Sequence, residues 1–195
     1  MLHHATYADI DWERFRLFYE EAYGEPVEPD KEQKFENLRL GQDGKPSLAG
    51  ALLFTRNPEK TITGFFITAI WFRGYVLEDH SYIASEYLRG TLSDQYRQGM
   101  DFILRTLHHI QSGDSFNSPG VLEIPQIVFE ELLTNALLHR DYFIRDTVKL
   151  YIFQDRIEIT SPGRLPNNLT VEQAKKEKAS AKSTTTSSIH SRQGS

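Results

Sequence analysis

The sequence has no cysteine, so disulfide bonds and thiolate metal sites are excluded. It has no apolar run near the roughly 20 residues that cross a bilayer, and its N-terminus lacks the basic and apolar regions of a signal peptide. A basic excess is also missing, because 27 acidic side chains outnumber 22 basic ones and give a net charge of -5. These absences predict a cytoplasmic protein without a membrane segment, in which any contact with nucleic-acid phosphates is local.

The chain does have enough apolar material for one ordinary core or two small ones, since 39% of its 195 residues are hydrophobic and 12% are aromatic. Helical periodicity predicts helices over about residues 9–23, 31–38, 92–110 and 125–138. Strands are predicted over 64–73, near 86–89 and, as a hairpin, over 146–160. This mixture predicts an α+β fold.

The predicted helix over 125–138 has a packing face and a polar edge. Its apolar residues form one stripe that must pack on a sheet, namely Val128, Phe129, Leu132, Leu133, Ala136 and Leu137. Glu131, Asn135 and His139 are spaced four apart and form a polar strip beside this stripe. A carboxylate one turn before an amide is able to activate water while the amide oxygen binds Mg²⁺. Spacing alone favours the simpler interpretation, in which these are exposed residues of an amphipathic helix.

Two segments carry a family resemblance. Residues 130–142 read EELLTNALLHRDY, and residues 148–166 read VKLYIFQDRIEITSPGRLP. Together they resemble the C-terminal ATPase-like module of a family of bacterial transcriptional regulators, also described as RecG-related ATP-dependent helicases. That family joins a Schlafen AlbA-type DNA-binding domain to a GHKL-like ATP-binding module. With a weaker resemblance over residues 35–58, the similarity covers about residues 10–170.

The resemblance implies a site for ATP and Mg²⁺. Glu131 would be the catalytic base that activates water, and Asn135 would be the metal ligand. The nucleotide-binding residues would be Asn135, His139, Arg140, Asp141, Ser161 and Gly163. Ser161 stands where ATP-hydrolysing relatives carry the aspartate that accepts a hydrogen bond from adenine, so weaker adenine recognition is expected. His139 and Arg140 have a second interpretation, slightly favoured, as residues that complement the helix dipole.

The resemblance also implies a domain organisation. Residues 1–111 would be the C-terminal part of the DNA-binding module with a strand-helix connector, and residues 121–170 a partial GHKL-like α/β sandwich. The serine- and threonine-rich tail over 174–195 has no periodicity and is predicted to be disordered. Truncation at both ends is expected, because no glycine-rich lid follows Pro166 and an AlbA-type domain should extend upstream of residue 1.

The expected protein is a nucleotide-binding transcriptional regulator that contacts DNA through the missing N-terminal region. A homodimer is a further expectation, and this fragment is not expected to be an active ATPase. The alternative, favoured by Ser161 and the missing lid, is a non-catalytic dimerisation or regulatory scaffold with a degenerate ATPase-like fold.

Overall fold

The computed structural model describes residues 5–77, 81–112, 124–163 and 187–190. The chain divides into two compact units, each with its own core. Unit 1 comprises Met1–Phe65 and Arg89–Asp94, and unit 2 comprises Phe66–Leu88 and Gln95–Ser195. Within the described ranges, no helix has both the length and the apolar character that a membrane crossing requires.

Unit 1 is mainly helical. After a 3₁₀ turn over Tyr7–Asp9, its elements are α1 (Trp12–Tyr23), α2 (Lys31–Asn37), β1 (Gly41–Gln42), β2 (Lys45–Pro46), α3 (Leu48–Phe54) and α4 (Pro58–Thr61). The carboxylate of Asp11 caps α1 by accepting the Arg14 N–H at 3.1 Å. Phe15, Phe35 and Phe54 meet edge to face, with ring centroids 5.0 to 5.9 Å apart. The helices predicted over 9–23 and 31–38 are therefore confirmed, and an aromatic core holds them together.

Unit 2 contains a mixed sheet. Its described strands are β3 (Ile67–Phe72), β4 (Tyr82–Leu88), β5 (Val148–Ile152), β6 (Arg156–Thr160) and β7 (Ser187–His190). They lie in the order β4-β3-β5-β6-β7. The pairing of β3 with β5 is parallel, and the other neighbours are antiparallel. Buried and half-buried residues alternate along β5 and β6, so one face of the sheet lies in the core.

Two helices complete the described part of unit 2. Helix α5 (Leu92–Ser112) begins in unit 1 and continues into unit 2, and α6 (Gln126–Leu138) follows later in the chain. Gly99 allows α5 to approach Leu133 of α6 closely, because a Cβ at residue 99 would lie 2.7 Å from Leu133 Cδ2. The same Cβ would lie 3.7 Å from Ile67 Cδ1 of β3. Helices and a mixed sheet confirm the predicted α+β class.

The last described strand corrects one prediction. Strand β7 pairs antiparallel with β6, with Ile189 opposite Ile157. It lies within the tail 174–195, for which composition predicts disorder. The physical reason is that β7 pairs with the backbone N–H and C=O groups at the edge of β6. The composition of the tail contains no information about such an edge elsewhere in the chain. The rest of that tail and residues 164–170 lie outside the described ranges. So do residues 113–120 of the polar segment 112–120, which the sequence predicts as the linker between the two domains.

Candidate functional site

Glu131 and Asn135 lie one turn apart on α6 and are hydrogen-bonded to each other. Asn135 Nδ2 donates to Glu131 Oε1 at 3.1 Å. Because an ionised carboxylate only accepts hydrogen bonds, the amide must present its NH₂ group to Glu131. Asn135 Oδ1 therefore remains as an acceptor, which is the kind of oxygen that Mg²⁺ prefers.

The pair sits at the edge of the packed face of α6. Phe129, Leu133, Ala136 and Leu137 are buried, and Val128 and Leu132 are half-buried. Glu131 is exposed and Asn135 is half-buried. The predicted arrangement of an apolar stripe with a polar strip beside it is therefore confirmed. Asn135 is therefore partly covered by protein, and Glu131 is open to solvent.

The loop that follows β6 is fixed to the C-terminal end of α6. Ser161 Oγ donates to the Ala136 carbonyl at 2.7 Å, and the Asp141 N–H donates to the Pro162 carbonyl at 2.8 Å. A Cβ built on Gly163 would lie 3.7 Å from the Asp141 nitrogen. The structure thus brings Asp141, Ser161 and Gly163 to the helix end that carries Asn135.

Ser161 has a defined hydrogen-bonding direction in this loop. Its single hydroxyl proton points to the Ala136 carbonyl, so its lone pairs remain for a donor from a ligand. A neutral hydroxyl oxygen is a weaker acceptor than a carboxylate. A hydrogen bond from an adenine amino group to Ser161 stays a prediction.

His139 and Arg140 are placed differently from each other. The His139 N–H closes α6 on the Asn135 carbonyl at 3.0 Å, and its side chain is exposed. Arg140 is only 4% exposed, and its Nη2 donates to the Asp146 carbonyl at 2.6 Å. The buried Arg140 side chain therefore stabilises the loop between α6 and β5. Contact of Arg140 with a nucleotide remains a prediction.

Tyr142 contacts both Arg140 and the C-terminal turn of α6. The Arg140 guanidinium lies 5.3 Å from the Tyr142 ring centroid, and the Tyr142 hydroxyl donates to the Leu137 carbonyl at 2.5 Å. Burial lowers the pKa of Arg140 and raises the pKa of Tyr142 to about 12. Tyr142 therefore stays a neutral donor at physiological pH, which keeps the end of α6 in place.

Asp146 is a structural residue of this region that sequence reasoning missed. Its carboxylate accepts from Lys149 Nζ at 3.0 Å and from the Thr147 N–H at 2.8 Å. The Lys149 hydrogen bond, followed by that of Thr147, holds the pKa of Asp146 below its ordinary value. The sequence signal was slight, since an aspartate three residues before a lysine is common in loops. No pattern in the sequence indicates that the Asp146 carbonyl accepts a hydrogen bond from Arg140.

The described residues of the site offer few ligands for a metal ion. In the parts of the chain that the structure describes, no three His, Asp or Glu residues are grouped as a metal site. A Mg²⁺ ion held through Asn135 would take its remaining ligands from phosphates and water, as is usual for this ion. The residues present therefore fit a metal that arrives with a nucleotide.

The family comparison falls on the second half of the site. The family described as "Putative ATP-dependent DNA helicase recG C-terminal" matches residues 146–189. This segment contains β5, β6, the loop with Ser161 and most of β7. Residues 146–189 are similar to a RecG-related, ATPase-like region. The match extends past residue 170, where the sequence resemblance was expected to end.

A solved structure shares the fold of the chain. It is the crystal structure of the DIP2311 protein from Corynebacterium diphtheriae, with a TM-score of 0.61 and 19% sequence identity. The similarity covers 89% of this chain and 28% of the DIP2311 chain, so the sequence spans 28% of that protein's length. None of the curated proteins matches the chain.

Proposed function

We propose that this chain binds a magnesium nucleotide, with ATP as the preferred ligand, at the C-terminal half of α6. The observation that carries the proposal is the Glu131–Asn135 pair, whose hydrogen bond turns Asn135 Oδ1 away from Glu131. The RecG-related, ATPase-like match over 146–189 supports it, because that segment supplies the loop packed against the same helix end.

The residues have distinct roles in this proposal. Asn135 Oδ1 would coordinate Mg²⁺, which would neutralise phosphate charge when bound. Glu131, exposed and one turn away, would hold a water molecule near the phosphates. Ser161 would accept from the base, and the loop over 161–163 would form one wall beside Asp141. The roles of Asn135 and Ser161 follow from the hydrogen bonds of their side chains, which leave Asn135 Oδ1 and the Ser161 oxygen as acceptors.

A wider role rests on the sequence resemblance alone. In it, the protein is a cytoplasmic, GHKL-like, nucleotide-responsive transcriptional regulator that contacts DNA through an AlbA-type domain outside this chain. Residues 1–111 would then be the C-terminal part of the DNA-binding module with its connector. Because Glu131, Asn135 and Ser161 all lie in unit 2, nucleotide binding is testable without the DNA-binding activity.

One observation favours a second candidate, a regulatory scaffold that has lost nucleotide binding. Ser161 supplies a neutral acceptor where ATP-hydrolysing relatives place a carboxylate, and its proton already serves the fold by bonding to Ala136. A scaffold needs only this structural bond. The two candidates differ in a measurable property, since only the first requires Asn135 for affinity.

Calorimetric titration of the full chain with ATP, with and without MgCl₂, tests the proposal. Wild-type protein is expected to bind more tightly with Mg²⁺, and Asn135→Ala is expected to lose about 10- to 100-fold of the Mg²⁺-dependent affinity. Gln126→Ala is the matched control, because Gln126 Nε2 makes the same one-turn hydrogen bond to Glu130 at 2.8 Å. Its affinity should equal that of wild type. Absence of ATP binding, or equal affinities for wild type and Asn135→Ala, would support the scaffold instead.

A further inference from the structure

Two side-chain hydroxyls bind the carbonyl groups of the last turn of α6. A helix leaves its last four carbonyls without partners inside the helix. The Ala136 carbonyl of α6 accepts the hydroxyl of Ser161 at 2.7 Å. The next carbonyl, that of Leu137, accepts the hydroxyl of Tyr142 at 2.5 Å. The same turn carries Asn135, so the turn that presents the proposed metal ligand is held by side chains from outside the helix.

The hydrogen bond from Tyr142 matters because the Leu137 carbonyl has little access to water. Leu137 is only 3% exposed, and a buried carbonyl without a partner destabilises the conformation that buries it. Ends of helices open with little free energy. Without the Tyr142 hydroxyl, opening of the last turn would let water reach the Leu137 carbonyl. Such opening would also separate Asn135 from Glu131, to which its side chain is hydrogen-bonded.

Tyr142 is itself held in place to make this bond. The centre of its ring lies 5.3 Å from the Arg140 guanidinium, and Arg140 Nη2 donates to the Asp146 carbonyl at 2.6 Å. Because burial raises the pKa of Tyr142 to about 12, the hydroxyl keeps its proton at physiological pH. Tyr142 is therefore a constant donor to the last turn of α6.

We propose that Tyr142 is a positioning residue for the metal of the bound nucleotide and acts through Asn135. The inference rests on the proposed function, because it takes Asn135 Oδ1 as the Mg²⁺ ligand. Only the hydrogen-bonded form of the last turn would hold Oδ1 in a fixed position, so metal affinity falls with the fraction of molecules in that form. Ser161 holds the same turn, but it is also the proposed acceptor of the base. Tyr142 has no proposed contact with the nucleotide, so its substitution separates positioning from binding.

Tyr142→Phe tests this role, because it removes the hydroxyl and keeps the ring beside Arg140. Calorimetric titration of the full chain gives the ATP affinity in MgCl₂ and in EDTA, and the ratio of the two affinities measures the contribution of the metal. We expect Tyr142→Phe to lower this ratio about 3- to 10-fold and to leave the affinity in EDTA unchanged. Because Tyr142 acts through Asn135, adding Tyr142→Phe to Asn135→Ala should lower the ratio no further.

Thr106→Val is the matched control for a lost structural hydrogen bond. Thr106 is 2% exposed on α5, and its hydroxyl donates to the Phe102 carbonyl at 2.8 Å. Like Tyr142→Phe, this variant removes a hydroxyl that binds a helix carbonyl within unit 2. Thr106 lies on a different helix from Asn135. Thr106→Val should therefore leave the affinity ratio unchanged, whatever its effect on stability.

Failure of this role is distinguishable from failure of the proposed function. If wild type shows no Mg²⁺-dependent ATP binding, or if Asn135→Ala retains it, the proposed function fails and the role of Tyr142 fails with it. If Asn135→Ala lowers the ratio but Tyr142→Phe does not, only the role of Tyr142 is overturned. The same conclusion follows if Thr106→Val lowers the ratio as much as Tyr142→Phe does.

If Tyr142→Phe fails to fold, exchange of the Tyr142 hydroxyl proton in wild-type protein decides the question. Coupling between two equilibria is reciprocal, so a hydrogen bond that favours metal binding is itself stabilised by the metal. NMR should therefore show slower exchange of this proton in Mg·ATP than in ATP with EDTA. Equal exchange rates in the two conditions would overturn the proposal.

Discussion

Leu133→Ala is expected to destabilise unit 2 by about 2 to 5 kcal/mol. Leu133 is completely buried on α6, and its Cδ2 occupies the space that Gly99 leaves on α5. Loss of the side chain opens a cavity between the helix that carries Glu131 and Asn135 and its neighbour. Urea unfolding followed by Trp71 fluorescence in a Trp12→Phe background measures the effect in unit 2.

The same site allows a sharper test with a second substitution. In wild type, Gly99→Ala brings a methyl group within 2.7 Å of Leu133 Cδ2, so it should not stabilise the protein despite the better helix propensity of alanine. In the Leu133→Ala background the methyl fills vacant space and should recover about 1 kcal/mol. Leu138→Ala, at a position 63% exposed on the same helix, is the matched control. It should change stability by less than about 0.5 kcal/mol. Additive effects at 99 and 133 would contradict the proposed contact.

Gly50→Ala should destabilise unit 1 by about 3 kcal/mol, although glycine-to-alanine changes inside helices are usually favourable. A Cβ at residue 50 of α3 would meet the Leu40 carbonyl oxygen and the Phe35 ring. The Leu40 oxygen accepts the Ser47 N–H at 2.8 Å, so moving it away disrupts a hydrogen bond at the start of α3. Urea unfolding of a Trp71→Phe background, followed by Trp12 fluorescence, measures this change.

A neighbouring residue controls for helix propensity in that experiment. Ala49 is exposed on α3, and Ala49→Gly should cost only about 0.5 to 1 kcal/mol. The expected result is that alanine is preferred at residue 49 and glycine at residue 50. Stabilisation by Gly50→Ala would show that α3 and the Leu40 carbonyl are farther apart than the structure places them.

Periodicity explains why much of the fold was predictable. The apolar stripe on residues 125–138 and the alternation in 148–160 each record one buried face, and the structure buries those faces. Asn135 and Glu131 were predictable as neighbours for the same reason, since a helix places residues four apart on one side. Local geometry was sufficient for both.

Contacts between distant residues were not predictable. The hydrogen bond from Ser161 to Ala136 spans 25 positions, and nothing in either local sequence indicates it. Arg140 was predicted beside a nucleotide because of the family resemblance, yet its burial against Tyr142 depends on where the chain turns after α6. Strand β7 likewise depends on an edge formed elsewhere in the chain. Tertiary context decides each of these features.

Paramagnetic broadening by Mn²⁺·ATP tests the nucleotide site most directly. Mn²⁺ takes the oxygen ligands that Mg²⁺ takes, and the side-chain NH₂ group of Asn135 would lie beside it. Titration of ¹⁵N-labelled protein should broaden the Asn135 side-chain signal first. The Gln126 signal, about 13 Å away along α6, should broaden only at higher metal concentration. Broadening that leaves Asn135 sharp, or that reaches Gln126 before it, would contradict the proposal that Asn135 holds the metal of a bound nucleotide.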